Sequence, residues 1–284
     1  MSCDFCSNEH CYSVKNERIM TTSVVIPVYN GKKYLEDNLP FVNNLGVDEV
    51  ILVDDASGDG SAEFITKNYP QIKLIRHTSN SRFPISVNDG FKKATGDIVF
   101  LLNQDLKPGK DLVKNTLGHF RNPNVFAVTF NEDGRSWADG RWVDGMLEFT
   151  NGKLDNKLHD SLWPSGGSSA IRRDLWNKLG GFDPIFTPGY FEDLDLGLRA
   201  HTAGYKIIWD SKCKVDHLTE GTFPKSFPAK KLQYIKERNY LIAVWKNIDS
   251  NLWPTHVVSL IKRIIKHPGY LVPTIWALWK KLVS

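Results

Sequence analysis

Three carboxylates fall within four positions of the stretch TPGYFEDLDLGLRAHTAGY: Glu192, Asp193 and Asp195. Like charges gathered at the mouth of a helix are unfavourable unless a cation, a proton or a substrate hydroxyl uses them. Asp54 and Asp55 follow the apolar run VILV, and Asp105 follows IVFLL within L-N-Q-D. Acids at the ends of separate strands, converging beside a helix mouth, suit metal-assisted transfer of a phosphorylated group. A divalent cation accepts a mixed shell of carboxylate, phosphate and water oxygens, so one strand-end Asp is enough from the protein when a diphosphate supplies the rest. Each motif also has a plain structural reading. Asp54-Asp55 and Asp105 can start turns, and the acids at 192–195 can form an ordinary acidic first turn of a helix.

The elements that position these groups alternate. Ser23–Val28 (SVVIPV) reads as a buried strand running into Tyr29-Asn30-Gly31. Lys32–Leu45 has helical apolar spacing with Pro40 as its expected break, and Val47–Val53 is a second strand. A helix over Ser61–Asn68, a strand over Ile72–Arg76, a helix over Pro84–Thr95 and the strand Ile98–Leu102 follow. This alternation predicts an α/β fold with a mostly parallel sheet flanked by helices. Ligands bind outside the carboxyl ends of such strands, where Tyr29-Asn30, Asp54-Asp55 and Asn103–Asp105 fall. Beyond them, Asp111–Phe120 reads as a helix and Val125–Phe130 as a strand. Residues 131–164, rich in Gly, Trp and Asp, read as long loops or a small hairpin of the kind that carries acceptor contacts.

The 284 residues carry a net charge of +4, but five Lys/Arg and no acid lie from His256 onward, leaving the rest close to neutral. The basic character therefore belongs to a tail, not to a nucleic-acid-binding face. Nine Trp are a high count, suited to sugar rings or to core filling. No signal peptide and no apolar run of about 20 residues is visible, which points to a cytoplasmic protein. Cys3, Cys6, His10 and Cys11 crowd the start. They are zinc ligands or, as favoured by the adjacency of His10 and Cys11 and the lack of a second knuckle, part of a flexible reduced leader over 1–20. Cys213 reads as a core thiol.

The motifs SVVIPVYNGKKYL, VILVDDASGDGS, ATGDIVFLLNQD, GGSSAIRRDLWNKLGGFD and YFEDLDLGLRAHTAGYK occur in an order that resembles family-2 glycosyltransferases with a Rossmann-like GT-A fold. The resemblance is closest to the rhamnosyltransferase-like branch that builds bacterial surface polysaccharides, and it implies a GT-A domain over 21–247. It further implies an inverting transfer from a nucleotide-sugar donor to a glycan or lipid-linked acceptor, with Mn2+ or Mg2+ as cofactor. By it, Pro27, Tyr29 and Asn30 line the nucleotide pocket, and Asp55 or Asp54 holds the base. Asn103-Gln104-Asp105 resembles the D-x-D motif with its first acid replaced, so the metal rests on Asp105, and His217 falls where relatives complete the metal site. Asp193 matches the catalytic base and Glu192 orients the acceptor or holds a loop, while Asp195 reads as a helix cap. Gly166–Ser169, Gly167 included, lets the backbone approach donor and acceptor. Relatives carry a small glycine-rich turn before the position of Asn88, another donor-pocket residue; here Arg82-Phe83-Pro84 stands instead.

Residues 248–284 form a basic amphipathic tail. Val257, Leu260, Ile261, Ile264 and Ile265 make one helical stripe, and Leu271, Ile275, Trp276, Trp279 and Leu282 a second. Such helices suit the cytoplasmic face of an anionic membrane, or else pack on the catalytic domain or a dimer partner. Two other readings of the chain stay open: a sugar-1-phosphate nucleotidyltransferase, against which Tyr29-Asn30-Gly31 is no glycine-rich phosphate loop, and an inactive GT-A scaffold.

Overall fold

The computed structural model describes residues 20–132, 137–217 and 227–283. The cysteine-rich start, Cys3 to Cys11, lies outside them. The chain opens with β1 (Thr22–Val28), α1 (Lys32–Asn43), β2 (Glu49–Asp54), α2 (Ser61–Asn68), β3 (Lys73–Arg76), α3 (Phe83–Lys93) and β4 (Ile98–Leu102). The middle section holds β5 (Leu106–Pro108), α4 (Leu112–Leu117), β6 (Val125–Glu132), the hairpin β7 (Ala138–Val143) and β8 (Met146–Asn151), and β9 (Leu158–Asp160). Then follow β10 (Ser168–Arg172), α5 (Arg173–Leu179), α6 (Glu192–Thr202), β11 (Lys206–His217), α7 (Ala229–Asn247), α8 (Trp253–Lys266) and α9 (Leu271–Val283).

The main sheet runs β3-β2-β1-β4-β10-β6-β11-β5, with β9 also paired to β11. β1 is parallel to β2 and β4, β2 to β3, and β6 to β11. β10 runs against both of its neighbours, with Ser168 opposite Leu102. That reversal positions the site. Because β10 starts where β4 ends, the Gly166-Gly167 turn that feeds it lies at the carboxyl edge of the sheet.

Alternation along the β-branched strands explains the two core layers. Val24 and Ile26 face Leu35, Leu39, Leu52 and Ile65 on one side of the sheet. Val25, Ile51 and Val53 face Val87, Phe91, Trp176 and Leu196 on the other. A third cluster joins Leu194 and Leu198 of α6 to Leu241 of α7, Tyr270, and Ala277 of α9, so the C-terminal helices pack on the helix that begins with the acids.

Two sequence expectations change. Pro40 does not break α1; it lies exposed in the last turn, where the helix ends at Asn43 and few downstream bonds depend on it. Asp195 is no cap, because α6 starts at Glu192 and Asp195 lies inside its first turn, fully buried. Its carboxylate accepts from Arg199 Nε at 2.8 Å and Asn247 Nδ2 at 2.9 Å, with Lys246 Nζ at 3.3 Å. Lys246 also pairs with Asp183, and Arg199 donates to the carbonyls of Leu179 and Gly181. Asp195 thus ties α6 to α7 and to the turn after α5.

Removing one member of a buried ion cluster strands the others. Asp195→Ala is expected to lower the unfolding free energy by about 3 kcal/mol in urea denaturation. A loss well under about 1 kcal/mol, the range of surface pairs, would contradict the hub.

Candidate active site

Four strand ends and one helix start meet along the carboxyl edge. The β1–β4 ladder stops at Val25, and Pro27, with no N–H to donate, follows two residues later, buried within β1. Beyond buried Pro27, β1 presents exposed Tyr29 and Asn30. Gln104 fills the gap between the parted strands, accepting from Tyr29 N at 3.0 Å and donating to Tyr29 O at 3.4 Å. Asn30, at φ 49°, accepts from Gly58 N at 2.9 Å, joining the loops after β1 and β2.

Asp54 is buried, accepts from Ser57 N at 3.3 Å and pairs with Arg76 Nε at 3.7 Å. Asp55 Oδ1 accepts from Ser81 N at 2.7 Å and meets His77 Nδ1 at 2.8 Å, while Oδ2 accepts from Arg82 N at 2.9 Å. Asp55 therefore organises the 77–82 loop, and Oδ2 keeps acceptor capacity for one more donor. Asn88, expected in the donor pocket, is engaged by the turn after α5. Both ends of its amide bind the Phe182 backbone, Nδ2 to O at 2.7 Å and Oδ1 from N at 3.0 Å. It fastens α3 to the turn after α5.

Beyond β4, Asp105 is buried and its Oδ2 lies 3.6 Å from Nε2 of His217, at the end of β11. β5 and β11 pair antiparallel in this region, with Leu106 opposite His217, which fixes the approach. A carboxylate oxygen and an imidazole nitrogen at this spacing fit a divalent cation whose remaining positions go to a diphosphate. A second grouping, His119, Asp210 and Cys213, lies between α4 and β11. Its thiol, pushed up to about 12 by burial, stays protonated and packs as a core group, as expected for Cys213.

The turn before β10 joins these parts to α6. Asn103 N donates to Gly167 O at 2.8 Å, and Gly166 N donates to Asp193 Oδ2 at 3.1 Å. Neither glycine can be replaced without movement. A Cβ at 167 would lie 2.1 Å from Asn103 Nδ2, and one at 166 would lie 3.2 Å from Asp193 Oδ2. Continuous contacts thus run from Tyr29 through Gln104, Asn103 and the two glycines to Asp193, with Asp105 and His217 beside that path.

Glu192 and Asp193 sit in different surroundings. Burial, then the neighbouring Asp193 charge, pushes the Glu192 carboxyl well above its usual range, and its Oε2 has no hydrogen-bond partner. Burial also pushes Asp193 up, to about 6, opposed by N–H bonds from Leu194 and Gly166. The two adjacent acids therefore differ: Glu192 is the one pushed further toward its protonated form, and Asp193 is the one whose charge is favoured by N–H donors at a helix N-terminus. Asp193 opens onto a cavity of about 340 Å³ lined by Thr129, Glu132, Asn151, Ser161, Trp163 and Ser165. Hydroxyl, amide and carboxylate groups around an indole suit a sugar. A larger cavity, about 720 Å³, lies against Phe191 and is lined by Leu147, Phe149, Tyr240, Tyr270, Lys236 and Arg263.

The backbone that delivers the two acids is strained. Tyr190 and Phe191 both have positive φ, 74° and 71°, which non-glycine residues rarely adopt. α7 holds them there. The buried Asn239 amide donates to the carbonyls of Phe186, Gly189 and Tyr190 at 2.8–2.9 Å, and Arg238 donates to Thr187 O at 2.6 Å. The sequence signal for Arg238 and Asn239 is a polar pair among the buried apolar residues of α7. Glu132 and Trp163 fall in the segment whose sequence reads as long loops or a small hairpin.

The matching family model is Glycosyl transferase family 2, over residues 23–180. The chain belongs to that family. A dolichol-phosphate mannosyltransferase of Pyrococcus furiosus is 27% identical over 67% of this chain and 52% of its own length. An N-acetylglucosaminyl-diphospho-decaprenol L-rhamnosyltransferase of Mycobacterium tuberculosis is 23% identical over 59% of this chain and 66% of its own. The chain thus spans about half to two thirds of these curated relatives. Among solved structures, the mannosyltransferase PcManGT from Pyrobaculum calidifontis, in complex with GDP-Man and Mn2+, superposes with a TM-score of 0.59 at 17% identity. It covers 92% of this chain and 80% of its own. GalNAc-T7 with UDP, GalNAc and Mn2+ gives 0.64 at 18% identity, over 81% of this chain and 48% of its own. These likenesses establish the GT-A fold.

A carboxyl whose folded pKa exceeds its unfolded value binds protons more tightly when folded, so stability is fully present below the unfolded pKa and falls as pH rises through the folded one. Glu192→Gln removes that burden. The variant is expected to melt higher than the parent at pH 7 and about level with it near pH 4. A lower Tm at pH 7 would contradict the buried acid.

Proposed function

We propose that the chain is an inverting glycosyltransferase that moves a sugar from a nucleotide-diphosphate donor to a hydroxyl of a glycan or lipid-linked glycan, in the synthesis of a surface polysaccharide. The observation that supports this reading is the Asp193–Gly166 and Gly167–Asn103 stitch, which brings the Asp193 carboxylate toward the polar groups that follow β4. The nucleotide would rest on Tyr29, Asn30 and Asp55, with Asn103 and Gly167 near the donor sugar.

Asp193 accepts the proton of the acceptor hydroxyl as its oxygen bonds to the anomeric carbon from the side opposite the phosphate. The bond from that carbon to the phosphate oxygen breaks, and the nucleoside diphosphate leaves with the electron pair. Glu192 would orient the acceptor or hold the loop. Asp105 and His217 would hold Mn2+ or Mg2+, which offsets the charge growing on the leaving diphosphate when bound. The cavity in front of Asp193 suits the acceptor sugar. Its larger neighbour, lined by Leu147, Phe149, Tyr240 and Tyr270, offers apolar surface to a lipid attached to that sugar, in keeping with the lipid-linked substrates named for the mannosyl- and rhamnosyltransferase relatives.

Asp193→Asn should cut kcat on the order of 10³-fold while leaving nucleotide affinity by calorimetry unchanged. In the parent, kcat/KM should rise with pH through about 6, as Asp193 loses its proton, and then level. Retained activity in Asp193→Asn would remove the base assignment. Asp105→Ala should weaken Mn2+-dependent binding of a nucleoside diphosphate by about tenfold or more, about 1.4 kcal/mol. Equal affinity with and without the substitution would remove Asp105 from the metal site.

A further inference from the structure

The C-terminal helices leave much of their apolar surface uncovered. On α8, Leu260 and Ile264 pack inward, yet Val257, Val258, Ile261 and Ile265 on the adjoining face are exposed, Ile265 at 74%. On α9, Ile275, Leu278, Trp279 and Leu282 lie within one arc and are also exposed, Trp279 at 59% and Leu282 at 84%. Neither helix is long and apolar enough to cross a bilayer.

The charges around these faces are one-sided. Lys262 and Lys266 are exposed on α8, and no acid occurs from His256 to the end of the chain. Glu148 and Glu237 line the cavity that Arg263 and Ser259 of α8 also line. On α9 the two lysines turn inward: Lys280 Nζ donates to Thr187 O at 2.9 Å and Lys281 Nζ to Trp245 O at 3.3 Å. The outer face of α9 is left apolar, while its inner face holds the loop that delivers Glu192 and Asp193. Arg238, over the Trp276 ring at 4.2 Å, completes that inner contact.

We propose that the outer faces of α8 and α9 dock the protein onto an anionic lipid surface, the apolar side chains entering the acyl boundary and Lys262 and Lys266 meeting the headgroups. A second copy is the poorer partner, since an isologous contact would bring the same cations together with no acid on the face to meet them. Docking also places the lipid boundary at the back of the helix that braces the catalytic loop. That placement gives the lipid-linked acceptor of the proposed reaction a short path, and the docking itself requires neither donor nor acceptor.

The test is co-sedimentation of the full chain with phosphatidylglycerol-containing vesicles and with pure phosphatidylcholine vesicles, at low and high salt. The expected result is binding to the anionic vesicles that falls with salt. Trp279→Glu/Leu282→Glu should lose it by about tenfold or more, and Lys262→Glu/Lys266→Glu should lose it selectively on anionic vesicles. Both variants should keep the circular dichroism spectrum and the nucleotide affinity of the parent. No vesicle binding by the parent, or a parent dimer in sedimentation velocity that Trp279→Glu/Leu282→Glu dissociates while vesicle binding persists, would overturn the proposal. Because binding is read without substrates, its failure would leave the transferase reading standing.

Discussion

Two missing side chains hold the site together. Gly166 and Gly167 let the backbone before β10 touch Asp193 on one side and Asn103 on the other; a Cβ at 167 would force Asn103 to shift, and one at 166 would press on Asp193. The reversed direction of β10 puts this turn at the carboxyl edge, where the parallel strands β1, β2 and β4 already end. Fold and chemistry therefore meet in one short segment.

The acids work against stability, and the surrounding structure compensates. Glu192 and Asp193 are each pushed toward protonation by burial, and two strained residues precede them. Against this stand the Asn239 and Arg238 bonds to the preceding loop, the Asp195 cluster one turn further on, and the apolar packing of α6 on α7 and α9. Rigidity is thus concentrated directly behind the groups that must keep an unfavourable arrangement, the usual condition for a preorganised base.

Much of this was legible in the sequence where the signal was local. Strand ends at Tyr29, Asp54 and Asp105 followed from apolar runs closed by polar turns, and the alternation of elements gave the α/β class. What escaped was set by long-range contacts. The burial of Ser168 and Ser169 between two strands leaves no mark in composition. Asn88 was expected at the donor, yet Phe182, far along the chain, takes both ends of its amide. Asp195 read as a cap because its partners Lys246 and Asn247 lie on another helix. Asn239 and Arg238 were passed over for the same reason. The approach of His217 to Asp105 was expected from family resemblance, not from any periodicity.

The central claim is spatial: a nucleotide sugar lies between Asp105–His217 on one side and Asp193 on the other. A crystal structure with Mn2+ and an unreactive nucleotide-sugar analogue measures it directly. The account predicts the diphosphate against Asp105 and His217, with the Asp193 carboxylate facing the anomeric carbon from the side opposite the phosphate. A sugar whose anomeric carbon faces away from Asp193, or a diphosphate bound elsewhere on the sheet edge, would contradict it.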